Sequence, residues 1–171
     1  MTALVIISLL LAVAFVVLVV WSNRELPDSI SALVYSLPKG QQWLWTLWLW
    51  AASLLVCIPL IDALPDAWRF QGFLTLAYLG FTGAMPIIYE QQRTAHNILG
   101  TSAGILSQLC VAIISPWWLL LWLLFAGMVA ARAFPDVAWC DRLTRYTLGK
   151  EVFVAEAICA LAVYGALIVT I

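Results

Sequence analysis

The sequence has little charge and almost no histidine. Among its 171 residues there are eight Lys and Arg, nine Asp and Glu and one His, whereas 65% of the residues are hydrophobic. A soluble domain carries about 25% charged residues, so this chain lacks the polar side chains that would cover a soluble surface. It also lacks the basic field that nucleic acid requires. These absences exclude a water-soluble enzyme, a nucleic-acid-binding protein and a disordered chain.

The cysteines and the histidine offer no metal-binding pattern. The four cysteines include no C-x-x-C pair, which is the spacing that would indicate zinc or redox chemistry. One histidine cannot supply the three imidazoles of a three-histidine catalytic zinc site. We therefore predict no metal ion and no cofactor.

The sequence contains several long runs of uncharged, mostly apolar residues. A membrane-spanning helix needs about 20 mostly apolar residues, and none of these runs alternates as the strands of a membrane barrel do. The runs cover residues 4–21, 43–61, 70–89, 98–114, 117–134 and 152–171. They predict one all-α integral membrane domain over residues 1–171, a six-helix transmembrane bundle. Because two residues separate the fourth and fifth runs, a shallow hairpin in place of two full spans stays open.

The basic residues are distributed unevenly between the predicted loops. With six spans, one side of the membrane carries seven of the eight Lys and Arg residues. These seven are Arg24, Lys39, Arg93, Arg132, Arg142, Arg145 and Lys150. Since cytoplasmic loops are rich in Lys and Arg, the bias predicts a multi-pass protein of the bacterial inner membrane with both termini outside.

A short helix is expected between the first two spans. Pro27 and Pro38 flank residues 28–37. Because proline is disfavoured inside a helix, and the residue before a proline disfavours the helical conformation, a helix here is expected to lie between the two. Apolar side chains at positions 30, 33, 34 and 37 form one helical stripe, and Asp28 is a suitable N-cap. The pattern predicts a helix of about ten residues that lies in the membrane interface or dips under the bundle.

Small residues predict where the spans approach each other most closely. Helices in lipid pack through glycine and other small residues. Gly80 and Gly83 supply such a row in the third span, and Gly100 and Gly104 supply one in the fourth. These two spans are therefore expected to form the tight centre of the bundle.

Several polar residues fall on the basic side and are expected to line a cavity open to the cytoplasmic leaflet. They are Ser29, Ser31, Tyr35, Glu90, Arg93, His96, Gln108 and Glu156. Glu156 lies inside the sixth span, where a charge costs about 2–3 kcal/mol, so it is expected to be functional or to pair with Arg132, Arg93 or a tyrosine hydroxyl. Glu90 and His96 flank a turn, and as a pair they can transfer a proton or bind a cation.

Three functions stay open at this point. The leading interpretation is a non-enzymatic membrane protein that binds or conducts a small molecule, ion or lipid through the polar cavity. The second is a lipid-modifying enzyme, hydrolase-like, that uses His96 with Glu90 or Glu156. The third is a structural subunit of a larger membrane complex, docked through its glycine-rich fourth span. The expected partners are the lipid bilayer, a small-molecule or lipid ligand and further copies of the chain.

Two stretches carry a resemblance to a known family. The strings LPDSISALVYSLPKGQQWLWTLWLW and GAMPIIYEQQRTAHNI resemble a family of small bacterial polytopic membrane proteins without an assigned activity. The residues that carry it are Pro27, Ser29, Ile30, Ser31, Tyr35, the aromatic run at 43–50 and His96. The resemblance implies a membrane bundle and brings no activity. A fainter likeness, through serine, acidic and histidine residues near one membrane face, is to the ceramidase and progestin-receptor-like membrane hydrolases. Those have seven spans and several zinc-binding histidines.

Overall fold

The structure of the protein is a computed structural model. It describes residues 1–24, 26–88, 93–134 and 136–171, with the backbone alone at 85–88, 93 and 146. Glu90 therefore lies outside the described residues, as does the side chain of Arg93.

The described part of the chain forms eight α-helices and three 3-10 helices. The α-helices are α1 (Thr2–Asn23), α2 (Leu33–Ser36), α3 (Trp43–Ala63), α4 (Arg69–Ile88), α5 (Arg93–Ile114), α6 (Trp122–Ala131), α7 (Ala138–Thr147) and α8 (Glu151–Thr170). The 3-10 helices are Lys39–Gln41, Asp66–Trp68 and Pro116–Leu121. No strand occurs in these residues, and the all-α prediction is confirmed for them.

Four helices among the described residues are long and apolar enough to cross a membrane. They are Thr2–Asn23, Lys39–Ala63, Thr94–Ile114 and Glu151–Thr170, at the first, second, fourth and sixth expected spans. The third expected span is α4, and the fifth contains a shorter apolar helix, Pro116–Ala131. The structure thus has the helices of an integral membrane protein, with four candidate spans; the six-span arrangement stays a prediction.

The α-helix in the fifth expected span, 117–134, ends at Ala131, the last residue before Arg132, and not at residue 134. Residues Pro116–Leu121 are 3-10 and the following α6 has ten residues. A 3-10 helix rises about 2.0 Å per residue, so the whole segment reaches about 27 Å. Arg132 caps the end of α6 and its guanidinium contacts Glu151. Residues 132–134 continue as a tighter turn, with amides bonded to carbonyls three residues back, and the ion pair joins this turn to the start of α8.

α8 lies at the centre of the helix arrangement. It packs against α1, α3, α5, α6 and the 3-10 helix Pro116–Leu121. One apolar cluster, where α1 begins and α8 ends, includes Val5, Leu60 and Leu167. A second, where α1 ends and α3 begins, includes Val19 and Trp45. Large apolar side chains also cover much of the outer surface, as expected for helices that face lipid.

The glycine rows differ in what they face. A Cβ on Gly83 would lie 3.1 Å from the Trp50 indole, and a Cβ on Gly100 or Gly104 would lie 3.7 Å from Thr82 or Cys159. A Cβ on Gly80 would meet nothing within 4 Å, but the Gly80 carbonyl accepts a hydrogen bond from Trp50 Nε1 at 2.9 Å. The α4–α5 contact is the most extensive among the described residues, but of the four glycines only Gly100 faces the other span, since Gly80 and Gly83 face Trp50 of α3 and Gly104 faces α8.

The connector between α1 and α3 is helical over a shorter range than expected. The α-helix covers only Leu33–Ser36. Both Leu33 and Val34 are buried among residues of α1 and α3, so the segment dips under the bundle. The prediction of Asp28 as the N-cap was wrong. The Ser29 hydroxyl accepts the Ala32 amide at 2.9 Å, while the Asp28 carboxylate pairs with Lys150.

Gly165 in α8 provides a test of the central packing. A Cβ at this position would lie 2.5 Å from the Trp118 ring, and a rigid indole cannot yield without moving its backbone. We expect Gly165→Ala to destabilise the protein by about 1–3 kcal/mol, the cost of overpacking. The measurement is the midpoint of thermal unfolding in detergent, followed by circular dichroism.

Gly127→Ala in α6 is the matched control, because a Cβ there would meet nothing within 4 Å. Alanine is the better helix former, so this variant should unfold at or above the wild-type midpoint. If the Gly165 variant is as stable as the Gly127 variant, Trp118 does not pack on α8 as described.

Candidate functional site

The segment before α2 is attached to the beginning of α8 by three polar links. Lys150 Nζ lies 2.7 Å from Asp28 Oδ1. The Phe153 amide donates to the Asp28 carbonyl at 3.0 Å. Deeper along α8, Glu156 Oε2 accepts the amides of Ile30 at 2.5 Å and Ser31 at 3.1 Å. We call Asp28, Ser29, Ser31, Lys150 and Glu156 the Glu156 cluster.

The position of Glu156 follows from the local chain geometry. It lies five residues after the first residue of α8, about 7.5 Å along the axis. Residues 29–32 turn ahead of α2, so the amides of Ile30 and Ser31 have no helical acceptor of their own. The carboxylate supplies that acceptor, and a negative charge is favoured beside such unpaired amides. Among the described residues, Glu156 is thus bound by backbone groups and not by Arg132 or a tyrosine, while its expected pairing with Arg93 lies outside the described side chains.

The two serines of the cluster extend the polar surface beside the carboxylate. Ser29 Oγ and Ser31 Oγ lie 3.1 Å apart, and Ser29 Oγ also accepts the Ala32 amide. Ser29, Ser31 and Glu156 are all half-buried. The structure therefore brings three of the predicted site residues together at the end of the bundle that carries Lys150.

The two amides both bind one oxygen of Glu156, and the Ser31 side chain also interacts with the carboxylate. Oε2 takes both amides, and no hydrogen bond to Oε1 occurs among the described residues. Glu156 as a whole is half-buried. The cluster thus presents a fixed carboxylate oxygen beside two hydroxyl groups.

His96 occupies a separate position on α5. Its side chain is 4% exposed, and neither ring nitrogen has a hydrogen-bond partner among the described residues. The ring lies beside the backbone of Thr82 in α4, whose carbonyl cannot receive the usual amide because residue 86 is a proline. No hydrogen bond or ion pair joins His96 to Glu156 in the described part of the chain. The pairing of His96 with Glu90 stays a prediction, because Glu90 lies outside the described residues.

Gln108 is engaged in the middle of the bundle. Its Oε1 accepts Trp122 Nε1 at 3.0 Å, and its Nε2 donates to Ser107 Oγ and to the Cys159 carbonyl, both at 3.2 Å. Both ends of the amide are therefore satisfied within the protein. Gln108 ties α5 to α6 and α8 and does not join the Glu156 cluster.

The remaining predicted site residues are dispersed. Tyr35 is on α2 with its side chain exposed, and Arg93 begins α5. An open depression of about 420 Å³ lies elsewhere, between Trp117, Trp118 and Leu124, and its lining is apolar. Within the described ranges, no three His, Cys, Asp or Glu side chains are placed to hold a metal ion.

Sequence reasoning missed a buried polar contact and an ion pair. Ser8 Oγ donates to the Ala52 carbonyl at 2.8 Å and lies 2.7 Å from Tyr164 Oη. The only signal was an isolated hydroxyl group, Ser8 in the first span and Tyr164 in the sixth, among apolar residues. The Asp28–Lys150 pair joins residues 122 positions apart, so no local pattern could have revealed it.

Comparisons with protein-family models, with curated proteins and with solved structures find no match to this chain. The functional argument therefore rests on the geometry of the described residues.

The anchoring role of Glu156 can be tested by removing its acceptor. Glu156→Ala leaves the Ile30 and Ser31 amides without a partner, at a cost of about 1–3 kcal/mol for each buried group. We expect the segment before α2 to detach and trypsin to cleave faster after Lys39. The measurement is the rate of that cleavage in detergent, read by mass spectrometry.

Glu156→Gln is the control, because its amide oxygen still accepts hydrogen bonds while the charge is lost. It should be cleaved at close to the wild-type rate. Equal rates for the alanine variant and the wild type would show that the carboxylate does not hold this segment.

Proposed function

We propose that the protein is a membrane-embedded binding protein for a small cationic ligand, and that the Glu156 cluster is its binding site. The single observation that carries the proposal is the half-used carboxylate of Glu156. One oxygen is fixed by two backbone amides, while no geometric hydrogen bond reaches the other, Oε1, among the described residues, and the residue is half-buried.

The energetics of the membrane favour a ligand at this carboxylate. An ionisable group inside a span is expensive, and such groups are commonly tied to function. Two amides offset part of this cost at Oε2 but leave Oε1 uncompensated. A cation at Oε1 would supply the missing counter-charge. The backbone contacts also hold the carboxylate in place, so little order is lost when a ligand binds.

The neighbouring groups favour an ion or a primary ammonium group. The Ser31 hydroxyl interacts with the carboxylate, the Ser29 hydroxyl lies 3.1 Å from that of Ser31, and hydroxyl oxygens accept hydrogen bonds. A carboxylate with two hydroxyls therefore suits a donor with several N–H groups or a desolvated alkali ion. Lys150, the nearby cation, is already paired with Asp28 and leaves Glu156 available.

The polar groups deeper in the bundle favour binding over conduction, because their hydrogen bonds are already made within the protein. Gln108 is satisfied by Trp122, Ser107 and the Cys159 carbonyl. Tyr164 is satisfied by Ser8. A conduction path would need such groups to be available to the moving ion, whereas here they hold helices together. The ligand would enter from the end that carries most of the basic residues, which the positive-inside rule assigns to the cytoplasm.

The proposal predicts cation-dependent stabilisation that needs Glu156. Ethanolamine, sodium chloride and potassium chloride would be added to purified protein at constant chloride, and the unfolding temperature followed by tryptophan fluorescence. We expect one of these probes, at tenfold excess over its Kd, to raise the unfolding temperature by about 3–6 °C. Glu156→Gln should abolish the shift.

Two controls sharpen this experiment. Choline has no N–H group and should not replace ethanolamine if hydrogen bonds to the cluster matter. Glu151→Gln removes a carboxylate at the same end of α8, one that contacts Arg132, and should leave the shift unchanged. An equal shift in the Glu156 variant, or no shift in the wild type with any probe, contradicts the proposed function.

A further inference from the structure

α7 is a short helix that joins two apolar helices at one end of the bundle. It contacts α6, which ends at Ala131, and it precedes α8, which begins at Glu151. Its ten residues extend about 15 Å, half of the hydrocarbon thickness. Gly149, with a φ of +78°, allows the sharp turn into α8 that other residues rarely adopt. α7 therefore has to lie at the membrane surface if α6 and α8 are embedded.

The two edges of α7 have different surroundings. Cys140 is 2% exposed and faces the bundle, whereas Trp139 is 65% exposed. Phe134 and Leu148, on either side of the helix, are exposed as well. Such large apolar side chains are unfavourable in water, but an amphipathic helix inserts them at the boundary between headgroups and acyl chains. Tryptophan in particular is enriched at this level of the bilayer.

The exposed edge of α7 also carries two arginines. Arg145 pairs with Asp141 on the same helix, at 3.0 Å from Nε to Oδ1. Arg142 is exposed, and no ion pair engages it in the described ranges of the chain. It follows Trp139 by three residues, so the two side chains are neighbours on the helix surface. Arg142 is thus an exposed cation beside an apolar anchor, without an ion pair to any described residue.

We propose that α7 lies in the headgroup layer and that Arg142, with Trp139 as its anchor, binds the headgroups of anionic phospholipids. The charge of the lipid phosphate complements the guanidinium, which binds phosphate through a planar fork. The basic residues gathered at this end are predicted to face the leaflet that carries the anionic lipids. This proposal does not depend on a ligand at Glu156.

A second copy of the chain fits this surface less well. A stable protein interface buries about 800 Å² on each partner, and a ten-residue helix with one edge against α6 cannot offer that area. A pair of like-charged α7 helices would also bring Arg142 toward its own copy. The lipid surface requires neither a large flat area nor a complementary protein charge.

Lipid competition measured by native mass spectrometry tests the proposal. Purified protein would be incubated with equal amounts of phosphatidylglycerol and phosphatidylcholine, and the lipids retained would be counted. We expect wild type to retain phosphatidylglycerol preferentially and Arg142→Gln to lose about fivefold in that preference, as for one basic residue at an anionic surface. Arg69→Gln, which removes an exposed arginine paired with Asp66 on the predicted outer side, should keep the wild-type preference.

A second readout tests the depth of α7. Lipids brominated near the headgroup quench tryptophans in that layer, and Trp139→Phe should remove part of the quenchable emission from protein in liposomes. An unchanged lipid preference in Arg142→Gln overturns the proposal, and so does unchanged quenching in Trp139→Phe. A dimer that dissociates in the Arg142 variant also overturns it, since the surface would then be covered by a second copy.

Discussion

The attachment of Glu156 to the amides of Ile30 and Ser31 is the interaction on which the rest of this end of the protein depends. A carboxylate inside an apolar helix is costly unless hydrogen bonds compensate its charge, and two peptide amides without helical acceptors are costly in the same place. Each group removes the cost of the other. The pairing also fixes the chain just ahead of Leu33 and Val34, which are then buried between α1 and α3. This polar contact thereby helps to hold the two apolar side chains between the helices.

Hydrogen bonds between neighbouring helices also stabilise the rest of the helix arrangement. Lipid supplies no hydrophobic force between helices, so association relies on close packing and interhelical hydrogen bonds. Thr46 donates to the Gly83 carbonyl at 2.6 Å, Trp48 donates to the Leu11 carbonyl at 3.0 Å, and Ser8 joins α1 to α3 and α8. Most of these bonds end on backbone carbonyls of the neighbouring helix. His96 is one of several exceptions, with Trp45 and Gln71 among the others: both of its ring nitrogens are buried without a partner in the described part of the chain, and nothing described there gives it a role.

The sequence predicts the long helices well because their signal is local. Runs of apolar residues predict α1, α3, α5 and α8. Counting Lys and Arg residues shows which of the predicted loops carry most of the positive charge. Glu156 was also marked as a buried polar group from its depth alone. Its partners were not predictable, because peptide amides carry no side-chain signature and lie 126 residues away in the chain. The same limit applies to Asp28, which fits an N-cap locally but pairs with Lys150, leaving Ser29 to cap the turn. α7 was missed because its pattern is short and its charges suggested a loop.

The charges at this end of the protein separate into those that hold the fold and those that remain available. Asp28 with Lys150, Glu151 with Arg132 and Asp141 with Arg145 are pairs within the chain. Glu156, inside the bundle, and Arg142, on the outer edge of α7, are two groups of opposite sign that stand outside these three pairs. A cation that approaches Glu156 would first meet the headgroup layer in which we place α7. Anionic lipid held there by Arg142 would concentrate cations near the site. The lipid surface and the carboxylate would then act in sequence, although each can be tested without the other.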